Sequence, residues 1–215
     1  MLATKDQVNS FLSIFKDGEE LTYKKGEFVI RPGQAPTGVF YIEKGLVKAY
    51  DISKYGEENL LIIRKEKEVF PLIWAITGQE RRIIYETLSP TVLLHVERNK
   101  FLTHMRENTK AMPPLTDMVT EMYRIHSERI LNLEYRSVRE RLISFLITMS
   151  HRFGEKSKEG IVINVPLRQQ DIASSINATR ETTSREMNYL ERHSLVSNKS
   201  SVITLRNIEK LSSYL

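Results

Sequence analysis

Residues 167–195 read LRQQDIASSINATRETTSREMNYLERHSL, and the spacing of the apolar positions divides them into two amphipathic helices around Asn177-Ala178. Ile172 and Ile176 face inward from the first helix at i, i+4 spacing. Ala173 is small, so a second helix can cross closely over it. Asn177 stands at the turn, where a left-handed backbone is usually needed and Asn tolerates it better than most residues except Gly. Thr179 then has the side chain that caps a following helix. On that second helix, at about 100° per residue, Thr183, Met187 and Leu190 share one side. Arg180, Glu181, Ser184, Arg185 and Asn188 occupy the other. Two helices crossing at a short turn in this way form a helix-turn-helix.

The first residues of the second helix in such a motif reach base edges in the major groove of duplex DNA. Arg there pairs with guanine O6 and N7, and Glu accepts from cytosine N4. Arg180, Glu181 and Arg185 have that chemistry, with Thr179 and Ser184 beside them. The competing reading is a solvated helix face on which Glu181 and Arg185 pair at i, i+4, worth only ~0.3–0.5 kcal/mol. The following SLVSNKSSVITL reads as two short strands turning at Asn198–Ser201, the wing of a winged helix-turn-helix, with Lys199 placed to touch phosphate.

Upstream, Ser137-Val-Arg-Glu140 has capping-box spacing and starts a helix bearing Val138, Leu142, Phe145, Leu146 and Met149. Gly154 ends it, and EKSKEG reads as a polar loop leading to the short strand IVINV. Before that helix, a long helical pattern begins after Pro113-Pro114. Its Leu115, Met118, Met122 and Ile125 alternate at 3 and 4 spacing on one narrow stripe, which suits a helix packed on its symmetry mate. The alternative is that the stripe packs on the preceding domain of the same chain; Arg129 already interrupts it.

From Leu21 to Glu97 short apolar runs (FVI, VFYI, LVKAY, NLLII, VLLHV) are separated by turn residues, as in a sandwich, roll or barrel. Helical patterns flank them at residues 5–15 and from Arg98 to Asn108. The expected organisation is therefore α+β, with a β-rich domain over 1–110, a dimerisation helix over 111–135 and a DNA-binding domain over 136–215.

Composition agrees with this division. The 215 residues are 40% apolar and 27% charged, as in a water-soluble globular protein, and no apolar run approaches the ~18 residues needed to span a bilayer. The N-terminal MLATKDQVNSFLSIF does not read as a signal peptide, so the expected location is the cytoplasm. Without cysteine there is no disulfide, thiolate zinc site or cysteine-ligated iron–sulfur cluster. Residues 1–135 carry 19 basic and 19 acidic side chains and residues 136–215 carry 13 and 8, so the whole excess of +5 lies in the last third. A polyanion would be met there.

The segment ATRETTSREMNYLERHSLV resembles the recognition helix and wing of the cyclic-AMP receptor protein and Fnr family of bacterial regulators. The Gly-punctuated KKGEFVIRPGQAPTGVFYIEKGLVKAY resembles that family's β-roll. The resemblance covers nearly the whole chain. It implies a cyclic-nucleotide-binding-like β-roll of jelly-roll type, a long dimerisation helix and a C-terminal winged helix-turn-helix. It also implies a homodimer on a two-fold DNA site with half-sites ~34 Å apart, and RNA polymerase as a further partner. The family's R-E-x-x-x-R readers fall on Arg180, Glu181 and Arg185, a combination similar to the one that reads a TGTGA-type half-site.

The sensing end departs from the family. Cyclic-nucleotide-binding members carry Gly-Glu, then Arg-Ser or Arg-Thr about ten residues later, to hold ribose and phosphate. Here EKEVFPLIWAITGQERRIIYETL places Phe70 and Pro71 at the first pair and Arg81-Arg82 at the second. Cyclic AMP is therefore not the expected effector, no cofactor is expected, and the effector is left unidentified. Arg81 with Arg82 either meets another anion or is plain surface charge, and Trp74 either fills the pocket or lines one for an apolar ligand. The five histidines are scattered without HxH or HExxH spacing, and no nucleophile-elbow or phosphate-loop motif is present. No metal site and no enzyme are expected. The rival functions are a metal-dependent enzyme on a cupin-like barrel, and a regulatory module acting through protein contacts.

Overall fold

The computed structural model describes residues 2–199 and 202–215. The chain divides into two compact units, Met1–Ile52 with Leu61–Tyr123, and Ser53–Leu60 with Arg124–Leu215. The division falls inside the long helix rather than at its end.

The first unit opens with α1 (Lys5–Leu12), held by a reciprocal capping box between Thr4 and Gln7. The strands β1 (Glu19–Tyr23), β2 (Phe28–Ile30), β3 (Val39–Lys44), β4 (Val47–Ile52), β5 (Glu58–Arg64) and β6 (Val69–Phe70) follow, then α2 (Leu72–Thr77), β7 (Ile84–Thr87), β8 (Thr91–Val96), α3 (Arg98–Glu107) and α4 (Met112–Tyr135), with the start of β5 and the end of α4 counted in the second unit. The strands form two four-stranded sheets, ordered β1-β8-β3-β6 and β2-β7-β4-β5. This is the expected β-roll. At the turn between β3 and β4, Gly45 has φ +101°, and a Cβ there would lie 2.6 Å from the Pro90 carbonyl oxygen. Only glycine combines that backbone with that close approach.

The helices close one end of the roll around a core of Phe11, Phe15, Val96, Phe101 and Leu115. The expected dimer stripe is drawn into its own chain at Leu115 and Met118. Leu115 is 6% exposed inside this core and Met118 packs against it, while the Met122 sulfur accepts from an Arg64 Nη at 2.9 Å. Ile125 is half-buried. The stripe thus serves its own chain first, because 3–4 spacing satisfies an intrachain sheet as well as a partner helix. On the adjacent positions of α4, Thr116, Val119, Tyr123, Ile130 and Leu133 are exposed.

In the second unit, α5 (Val138–Phe153) starts at the predicted capping box, with Ser137 accepting from the Glu140 N–H and Glu140 accepting from the Ser137 N–H. The hydroxyl and N–H of Ser137 hold the Glu140 carboxyl below its ordinary pKa. Then come β9 (Gly154–Ser157), β10 (Gly160–Ile163), α6 (Gln169–Ser175), α7 (Arg180–Arg192), β11 (Val196–Lys199), β12 (Val202–Leu205) and α8 (Ile208–Ser212). The strands form one antiparallel sheet ordered β11-β12-β10-β9. The segment expected as a polar loop contains β9. All four of its residues are exposed, so it carries no alternation, and its backbone pairing with β10 alone makes it a strand.

Arg129, which broke the apolar stripe, has a structural task. Its guanidinium donates to the Leu60 carbonyl at 2.7 Å and to Asn59 Oδ1 at 2.7 Å. Burial pushes its pKa below the ordinary guanidinium value. The Leu60 N–H donates in turn to the Ser174 hydroxyl of α6 at 3.3 Å, which ties Ser53–Leu60 into the second unit.

Candidate nucleic-acid interface

The interface is built on α7, and α6 fixes where α7 begins. Asp171, 3% exposed, accepts from the Arg168 backbone N–H at 2.9 Å, from Arg168 Nε at 3.0 Å and from an Arg168 Nη at 2.8 Å. These bonds to Asp171, with Glu58 also at 3.0 Å, hold the Arg168 proton more tightly than in an ordinary guanidinium. The chain then turns with Asn177 at φ +50°. The Ala178 N–H returns to the Ala173 carbonyl at 3.0 Å. Ala173 is fully buried, so its missing side-chain volume is what admits α7 at the crossing.

Thr179 caps α7 by accepting from the Thr182 N–H at 3.1 Å. Along the helix Thr183, Met187 and Leu190 are buried, while Arg180, Glu181, Arg185 and Asn188 are exposed and Ser184 is half-exposed. Arg180 and Glu181 thus stand in the first turn of α7. Arg185 lies one turn further along the same face, its Nε 3.8 Å from Glu186. The wing is the β11–β12 hairpin, with Lys199 paired to Val202 and exposed. Ser200 and Ser201 of its expected turn lie outside the described residues. A bond from the Asn198 N–H to Glu191 at 2.8 Å ties the wing to the end of α7.

Sequence pattern did not single out Asp171, Glu191, or the pair formed by Arg139 of α5 and Glu186 at 2.7 Å. Their partners lie on other elements, or a turn away in a different register. The Arg168-x-x-Asp171 spacing is the one such signal that was readable, as an acidic residue at the third position of a helix.

At the sensing end, Arg81 and Arg82 are exposed. Trp74 packs on the helical core, with the Arg98 guanidinium 5.6 Å from its ring. Phe70 is fully buried between Phe40 and Tyr85, at ring separations of 5.4 and 4.7 Å. Burial raises the Tyr85 phenol above its ordinary pKa. Beside it runs a buried polar cluster that sequence reading missed. Lys48, 1% exposed, pairs with Glu86 at 3.1 Å, and the Tyr50 hydroxyl donates to the same carboxylate at 2.9 Å. Among the described residues no group of three or more His, Asp or Glu side chains is arranged to hold a metal ion.

Comparison with known proteins gives this architecture a place. Residues 140–214 match the Crp-like helix-turn-helix domain, and residues 20–108 match the cyclic nucleotide-binding domain. The chain belongs to the Crp/Fnr family. Among curated members it is similar to the global nitrogen regulator of Synechococcus elongatus, with 28% identity over 88% of this chain and 86% of that one. Its fold is similar to that of a CooA mutant from Carboxydothermus hydrogenoformans, at TM-score 0.80 and 20% identity over 99% of this chain and 97% of the other. It is likewise similar to FixK2 from Bradyrhizobium japonicum, at TM-score 0.78 and 22% identity over 91% and 96%. As a Crp/Fnr regulator the chain is a DNA-binding transcription regulator. Among the described residues no helix is long and apolar enough to cross a membrane. The β-roll does not fit the ribose contact of a cyclic nucleotide, since the position of the carboxylate holds the buried Pro71 and the preceding Phe70 is stacked inside the core.

Proposed function

We propose that this Crp/Fnr chain works in the cytoplasm as a homodimer on a two-fold DNA site with TGTGA-type half-sites. Arg180, Glu181 and Arg185 read bases, and Thr179, Ser184 and Lys199 make supporting contacts. The observation that carries this reading is the division of α7, with Thr183, Met187 and Leu190 buried and the three charged readers exposed. A helix held by one face presents the other in a fixed rotation, which base readout requires.

The partner in the dimer is a second copy along α4. Thr116, Val119, Tyr123, His126, Ile130 and Leu133 follow one another at alternating 3 and 4 spacing, each of the first four one position past the stripe that the β-roll consumes. That spacing keeps one seam toward a parallel partner helix. RNA polymerase is the further partner that family membership supports.

Cyclic AMP is not the effector of the β-roll. Phe70 and Pro71 offer no side-chain acceptor for ribose hydroxyls, and Arg81 and Arg82 are exposed between α2 and β7. A duplex carrying an inverted pair of TGTGA half-sites should therefore bind in the absence of cyclic AMP, and adding cyclic AMP should leave the affinity unchanged. The affinity should fall steeply with salt, at a log–log slope of about −0.9 per phosphate neutralised. A requirement for cyclic AMP would overturn the effector assignment. A flat salt response would overturn the DNA interface.

A further inference from the structure

The readers of α7 do not stand alone. Neighbouring side chains on a helix do not ordinarily face each other, yet Arg185 Nε lies 3.8 Å from a carboxylate oxygen of Glu186, the next residue. Glu186 is itself fixed. Its side chain is only 14% exposed, and its other carboxylate oxygen accepts from Arg139 Nε on the first turn of α5 at 2.7 Å. Arg139 is fixed in turn, because its guanidinium carbon lies 3.5 Å from the Tyr189 ring centroid, and Tyr189 stacks with His193 at 4.0 Å. One continuous set of contacts runs from the end of α7, through α5, to a reader.

We propose that Glu186 and Arg139 are positioning residues for base recognition, Arg139 holding Glu186 and Glu186 presetting the Arg185 guanidinium. With Nε at ion-pair distance from Glu186, the two terminal nitrogens of Arg185 remain as an end-on fork for guanine O6 and N7. A carboxylate beside a DNA-facing helix would by itself repel phosphate, and Arg139 offsets that charge. The inference rests on the reading of Arg185 as a base contact.

The test measures affinity for two duplexes, one with inverted TGTGA half-sites and one with a guanine of each half-site replaced, each guanine tried in turn. Glu186→Gln should reduce discrimination by roughly tenfold, each protomer contributing a few-fold as exposed ion pairs do. Affinity for the altered duplexes should hold or rise, because a negative charge has left the surface. Arg139→Ala should do the same, and the Arg139→Ala/Glu186→Gln double variant should lose no more than either alone, since one acts through the other. If Glu186→Gln keeps full discrimination while Arg185→Ala abolishes it, Arg185 reads bases without help and the inference is overturned. If Glu186→Gln weakens both duplexes equally, Glu186 only supports the packing of α7, which overturns it too. If Arg185→Ala itself leaves discrimination intact, the base-contact reading fails and the inference with it.

Discussion

Arg180→Ala is expected to weaken binding to an inverted TGTGA duplex by at least roughly thirtyfold. A two-pronged arginine–guanine contact discriminates by ~1–3 kcal/mol, a two-fold dimer makes it twice, and every 1.4 kcal/mol is about a factor of ten. Arg180 is the first residue of α7 and is exposed, so removing its side chain takes nothing from the core. The variant should melt like the parent chain. It should also bind equally well when the base pair it reads is changed in both half-sites. Lys199→Ala, on the wing, should act differently, with a few-fold loss on every sequence and a shallower salt slope, as befits a phosphate contact. Equal losses for Arg180→Ala on cognate and altered duplexes would show that Arg180 meets only the backbone of the DNA.

The second large effect lies on α4. Ile130, 63% exposed in one chain, sits in the proposed seam, where a parallel two-fold partner sets it against its own copy. Ile130→Glu would place two carboxylates together in that seam. The desolvation and repulsion amount to several kcal/mol, enough to raise the dimer dissociation constant at least about a hundredfold. Sedimentation equilibrium reads this directly, and DNA affinity should fall with it. Leu115→Ala gives the contrast. Leu115 lies in the intrachain core, so its truncation should cost ~2–5 kcal/mol of folding stability and leave the association constant of the folded chain unchanged. Monomers from Leu115→Ala with intact dimers from Ile130→Glu would place the seam on the wrong side of the helix.

That contrast marks the limit of what the sequence discloses about α4. The 3–4 rhythm of Leu115, Met118 and Met122 announces a buried stripe but not what buries it. The neighbouring rhythm through Val119, Tyr123, Ile130 and Leu133 is harder to see because Thr116 and His126 interrupt it. The helix-turn-helix was legible because nearly every feature is local. Ile172 and Ile176 face inward, Ala173 is small, Asn177 takes the left-handed turn and Thr179 caps, all within one short stretch. The strands were legible where short apolar runs stood between turn residues. They were missed at β1, which is largely exposed and gains its order from a full register with β8, at the short β6 and β7, and at β9, which is wholly exposed. The partners of Glu186 and Lys48 were hidden for a different reason. Arg139 and Glu86 are distant in sequence, and no periodicity records a pair of opposite charges that meets only after folding.

In the proposed dimer α7 presents a fixed reading face, twice, to a two-fold site. The most direct test is selection of bound sequences from random duplex DNA by the intact chain. The expected result is enrichment of an inverted repeat of TGTGA-type half-sites with centres about one helical turn, ~34 Å, apart. Recovery of unenriched DNA, or of a single half-site without its inverted mate, would contradict it.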